Sequence, residues 1–174
     1  MYSKKVTRAE PTLMILLIDQ SSSMGHTLVE TNQGESYSSA KMAKYVTDRF
    51  LYEAMEECVS GTEFKPYLDL AVIGYSSDQP EYDTPGKKIR SALPKIPLEK
   101  FPFSVTELPN TFIAKNVIDP NDNSMFPKPK REWVEARADA YTSMLAAFTK
   151  AREIIEKWLP DHQTSFPPVV INIT

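Results

Sequence analysis

The residues with the clearest chemistry lie together in Asp19-Gln20-Ser21-Ser22-Ser23-Met24. Asp19, Ser21 and Ser23 present one carboxylate and two hydroxyls at alternate positions, and a tight loop can turn all three toward one point. Oxygen donors without His or Cys suit Mg²⁺, Mn²⁺ or Ca²⁺ rather than zinc or copper. With one anion among three ligands, such an ion keeps much of its charge and holds waters or a carboxylate from outside. The plainer reading of the same residues is a capped turn.

Six apolar residues, Leu13 to Ile18, lead into Asp19. A short apolar run without a polar face reads as a strand, about residues 12–18, buried on both sides as in a parallel sheet. Asp19 then stands just past its carboxyl end, where ligands bind in open α/β sheets. The apolar strand followed by Asp-x-Ser-x-Ser-Met resembles the metal-ion-dependent adhesion site of von Willebrand factor A (VWA) domains, with Ser22 where many members have Gly. The resemblance implies a Rossmann-like α/β fold, with a mostly parallel central sheet flanked by helices.

Around this stretch the chain reads as one domain over residues 1–174, with a polar lead-in to Pro11 and a polar loop at 25–37. Ser38 or Ser39 can cap a helix running to about Val59, with Gly61 just beyond its end. Ala43, Val46, Phe50, Ala54, Met55 and Cys58 recur on one face of it, which makes Cys58 a core residue. Leu68–Tyr75 reads as a second buried strand. After the turn signal Asp83-Thr84-Pro85-Gly86, residues 88–93 form a weaker segment, and the resemblance implies that it can pair antiparallel to the second strand at the sheet edge, as the third strand does in VWA folds. Nine of the 14 prolines fall between Pro80 and Pro129, so residues 94–131 are expected to be irregular. Phe101, Phe103, Leu108, Phe112, Ile113, Val117 and Ile118 still give that segment enough apolar surface to pack on the domain, and a short helix fits within 104–116. The basic patch Pro127–Arg131 reads as a solvated loop. A helical turn is expected at 132–138. A helix follows from about Ser143 to Leu159, burying Met144, Leu145, Phe148, Ala151, Ile155 and Trp158, and Val169–Ile173 reads as another interior strand.

The resemblance also implies a second site loop. Asp139-Ala140-Tyr141-Thr142-Ser143-Met144-Leu145 is similar to the family loop that supplies a threonine ligand, which places Thr142 on the metal. Ala140-Tyr141 replaces the usual small pair and Ser143 the frequent proline, so Ser143 stays open as the alternative ligand and Thr142 as a plain helix cap. Asp139 is either a water-mediated neighbour of the ion or a surface aspartate. The family's further aspartate follows its fourth strand, and here the sequence ends at Thr174. The chain is therefore expected to be about the first two-thirds of a VWA domain, with sheet order 3-2-1-4. Its uncharged strand 169–173 would be an exposed edge open to pairing with another chain, including dimerisation.

The function this implies is a binding module. Mg²⁺ (or Mn²⁺ or Ca²⁺) on Asp19, Ser21, Ser23 and Thr142 bridges to an exposed Glu or Asp of a partner protein, in an adaptor of the intracellular bacterial type. His26 and Tyr141 are candidate partner contacts beside the ion, with a lone surface histidine as the plainer reading of His26. No catalytic residue is implied. Two alternatives stand beside this. One is a Mg²⁺-dependent phosphatase with Asp19 as nucleophile, although such enzymes carry a second aspartate where this chain has Ser21. The other is a scaffold whose metal site does not work. A serine hydrolase fits poorly, because only His26 and His162 exist and no Gly-x-Ser-x-Gly elbow surrounds the serines.

Composition agrees with a globular domain: 174 residues, 41% hydrophobic and 25% charged. A net charge of −3 gives no reason to expect nucleic-acid binding. No apolar run approaches the ~20 residues that span a bilayer. The lead-in lacks a signal-peptide core, and the single cysteine fits a reducing compartment, so a cytoplasmic location is expected.

Overall fold

The computed structural model describes residues 6–31, 34–77, 89–117, 120–121, 129–139 and 141–174. The turn signal at 83–86, Lys88, Ile118, Pro127, Lys128 and Ala140 lie outside them. In chain order the elements are β1 (Thr12–Asp19), β2 (Thr27–Glu30), β3 (Ser36–Ser38), α1 (Ser39–Glu57), β4 (Val59–Ser60), β5 (Glu63–Phe64), β6 (Leu68–Tyr75), β7 (Ile89–Ser91), β8 (Phe103–Ser104), β9 (Ala114–Lys115), β10 (Arg131–Glu132), α2 (Met144–Trp158) and β11 (Val169–Ile173).

The architecture is α/β, a mixed and mostly parallel sheet flanked by helices. Its order is β11-β1-β6-β7, with β8 also on β6. Taken as first, second, third and fourth strands, β1, β6, β7 and β11 stand in the expected order 3-2-1-4. The apolar run of β1 explains its central place. It pairs parallel with β6 along its whole length and with β11 on the other side, and Leu13, Ile15, Leu16, Leu17 and Ile18 are all buried. β7 and β8 run antiparallel to β6. In the described residues the sheet ends at β11, where Val170 and Ile171 are more than a third exposed. No helix among the described residues is long and apolar enough to cross a membrane.

Helix α1 starts where its cap lies: Ser38 Oγ accepts the Lys41 N–H. Gly61 does not cap its far end. The helix closes at Cys58, and Gly61, at φ +64°, makes the turn between β4 and β5, a backbone conformation that costs glycine little. Cys58 is buried, as expected, and burial raises its thiol pKa.

Both helices are rotated from the expected faces. On α1 the buried stripe is Ala43, Thr47, Leu51 and Met55 with Ala40 and Asp48, while Val46 is about half exposed. The turn is set by Asp48, fully buried because its Oδ1 accepts the N–H groups of Trp133 (2.7 Å) and Val134 (3.0 Å) while Lys44 donates to Oδ2. On α2, Ala146, Ala147, Ala151, Ile154 and Trp158 are buried, whereas Met144, Leu145 and Phe148 are exposed. Small residues let this helix approach the sheet closely. Trp158 fixes its rotation by donating to Asp69 Oδ2 at 2.8 Å.

The expected helical turn at 132–138 is absent. Arg131 and Glu132 pair with Lys115 and Ala114 as strands, and residues 133–139 are irregular, with the Trp133 and Val134 N–H groups taken by Asp48. The proline-rich middle does pack on the domain. Phe101, Phe103, Val105 and Leu108 are buried, and a short 3-10 helix spans Val105–Asn110. Val117, by contrast, is 95% exposed.

Candidate metal centre

Asp19 closes β1 beside Tyr75 of β6, its register partner. Just past it the backbone tightens: the Ser21 N–H donates to Asp19 Oδ1 at 2.8 Å, and a 3-10 turn runs over Ser22–Gly25. This brings the hydroxyls of Ser21 and Ser23 to 2.9 Å from each other. That is the length of an O–H···O hydrogen bond. It is also a distance at which neighbouring ligands of Mg²⁺ stand, about 2.9 Å apart for an octahedron at 2.0–2.1 Å, and seven-coordinate Ca²⁺ sites have equatorial neighbours at a similar spacing of about 2.8 Å. Asp19 and Ser21 are buried and Ser23 is exposed, so the cluster opens outward on one side. Among the described residues no three His, Cys, Asp or Glu side chains gather to hold a metal ion. An ion here would rest on one carboxylate and hydroxyls.

The second loop is stitched to the first. The Asp139 N–H donates to the Gln20 carbonyl at 2.8 Å, and Tyr141 exchanges backbone bonds with Ser77, just past β6, at 2.7 and 2.5 Å. A Cβ added at Gly25 would stand 3.4 Å from Ala138 Cβ. Thr142 follows this anchored stretch directly and is exposed. It is not the cap residue of α2; that place is taken by Ser143, whose side chain makes no cap bond. Tyr141 and His26 are both exposed near the two loops, and the His26 backbone links them to α1 through the Ser39 N–H.

Asp139 is neither a bare surface aspartate nor turned wholly toward an ion. Its carboxylate receives Arg90 and Ser76. Sequence reading missed Arg90, Ser76, Gln20 and Gly74. The one available signal was a lone arginine in a short edge strand, and it does not reveal its partner. The buried Gln20 side chain lies over Gly74: a Cβ there would come within 2.3 Å of Gln20 Oε1, so the amide would have to move aside.

Tyr75 forms the floor. It is fully buried, and its hydroxyl donates to Asn172 of β11 at 3.0 Å. Burial first, and then the Asp19 charge, push the phenol up to about 12 from 10 against the pull of Asn172. Between pH 10 and about 12 the folded chain keeps a proton that the unfolded chain has lost, so stability falls as pH rises through that window. The loss is expected to reach about 2–3 kcal/mol, and to be missing from Tyr75→Phe. Denaturant titrations of both proteins at pH 9 and pH 11 check this, and the unaltered protein should show about half of the full loss, since pH 11 lies midway through the window.

No family model matches this chain, and no curated protein or solved structure matches it.

Proposed function

We propose that the chain is a metal-dependent protein-binding module of the VWA type. In this reading Mg²⁺ or Mn²⁺ sits on Asp19, Ser21, Ser23 and Thr142 and bridges to an acidic residue of a partner. The observation that carries it is the convergence of the Ser21 and Ser23 hydroxyls at 2.9 Å beside the strand-end carboxylate. The sheet order and the second loop stitched to Gln20 support it. The bound ion supplies a positive charge with an open position for an outside carboxylate. The chain's part is to hold the Asp19 carboxylate and the hydroxyls in place and to offer Tyr141 and His26 at the rim.

A hydrolysis assisted by His162 finds less support. His162 stacks on Trp158 and approaches Asp69, whose register partner is Leu13. That is six residues back along β1 from Asp19, about 20 Å at ~3.3 Å per residue.

Calorimetric titration of Mg²⁺ and Mn²⁺ tests the reading. Saturable uptake is expected, with Asp19→Ala weakening it by about 100-fold or more. Equal uptake by both proteins, or none by either, would sink it.

A further inference from the structure

We infer that Arg90 of β7 is a positioning residue, a latch that holds the loop carrying Thr142 against the carboxyl end of β1. The inference rests on the metal-binding reading for what the loop does, and on geometry alone for the latch itself.

Arg90 Nη2 donates to Asp139 Oδ1 at 3.0 Å and to Ser76 Oγ at 2.6 Å, Nη1 lies 3.4 Å from Oδ2, and Ser76 Oγ donates to Oδ1 at 3.3 Å. Two parallel contacts from a planar fork fix both the distance and the orientation of a carboxylate. The Arg90 side chain is three-quarters covered, and its Nε is buried without a hydrogen-bond partner. The guanidinium thus turns its ends to Asp139 and Ser76 and leaves its inner N–H unpaired.

The register explains how an edge strand reaches the site. Arg90 pairs with Gly74, and on its other side Gly74 pairs with Ile18, one residue before Asp19. The bare backbone at Gly74 leaves room for Gln20, whose carbonyl takes the Asp139 N–H. Asp139 is therefore held twice, through its amide by the first site loop and through its carboxylate by β7. Tyr141, two residues on, is held by Ser77. Thr142 comes next, so its backbone starts from these attachments. Arg90 lies in a different strand and acts only through Asp139.

The test combines amide hydrogen exchange of the metal-free chain with Mn²⁺ titration, for the unaltered protein, Arg90→Met, Arg90→Lys and the exchange pair Arg90→Asp/Asp139→Arg. Arg90→Met should speed exchange at Asp139 and Tyr141 by roughly tenfold or more while leaving β1 amides unchanged. It should also weaken Mn²⁺ binding by about 10-fold. Arg90→Lys should fall between, and the exchanged pair should recover part of both losses. Unchanged exchange in Arg90→Met overturns the latch. Faster exchange with unchanged Mn²⁺ affinity overturns its positioning role. Faster exchange in a protein whose unaltered form takes up no Mn²⁺ overturns the metal reading and upholds the latch.

Discussion

Replacing Asp48 by alanine should cost about 3–5 kcal/mol of folding stability, a large share of what a domain of this size has. Its carboxylate accepts the N–H groups of Trp133 and Val134, both buried, and an ammonium from Lys44. Removing it leaves two buried donors unpaired, each worth about 1–3 kcal/mol. Lys44 loses one partner and keeps Glu132. The pair is shifted unevenly. Burial raises the Asp48 pKa, with Lys44 and the two N–H groups pulling it back. Lys44 is lowered by its own burial but raised further by Asp48 and Glu132, so it stays charged. Asp48→Asn keeps an acceptor for the two N–H groups and should lose about half as much. Urea unfolding followed by far-ultraviolet circular dichroism measures both. A loss under ~1 kcal/mol in Asp48→Ala would mean that segment 133–139 is held by something else.

Trp133→Ala should cost a similar ~3–5 kcal/mol, for a different reason. The indole is fully buried, and its N–H donates to the Leu108 carbonyl at 3.0 Å. It is bonded to both α1 and the 3-10 helix at 105–110, and so joins the irregular middle of the chain to the core. Trp133→Phe keeps most of the volume but strands the Leu108 carbonyl, and should cost less than half of the alanine change. Equal losses in both variants would place the stabilisation in the hydrogen bond rather than in packing. Because Asp48 accepts the Trp133 N–H directly, Asp48→Ala/Trp133→Ala is expected to lose less than the sum of the two single changes.

These two residues also mark where sequence reading stopped. The strands β1, β6 and β11 were legible because an uninterrupted apolar run has few other places to go. The cap at Ser38 and the burial of Cys58 followed from equally local signals, and the antiparallel pairing of the segment at 89–91 from the resemblance to VWA folds. The rotation of α1 was not legible. An aspartate counts as surface in any hydrophobic pattern, and only its partners at 133 and 134, 85 and 86 residues away, make it core. On α2 the pattern favoured large side chains, while the sheet accepts alanines and leaves Leu145 and Phe148 outside. At the site, Asp19, Ser21 and Ser23 could be read as a unit because they are close in sequence. The hold on Asp139 could not, since it joins residues from β7, the end of β6 and a loop some 49 positions beyond Arg90.

The most direct test of the central claim is to locate the ion. Mn²⁺ added in small amounts to isotope-labelled protein broadens the amide signals nearest to it. The metal-bridged reading predicts that Ser21, Ser23, Tyr141 and Thr142 broaden first, and that Asp19→Ala abolishes the effect there. Broadening that instead centres on the exposed acidic end of α1, at Glu53, Glu56 and Glu57, and persists in Asp19→Ala would contradict it.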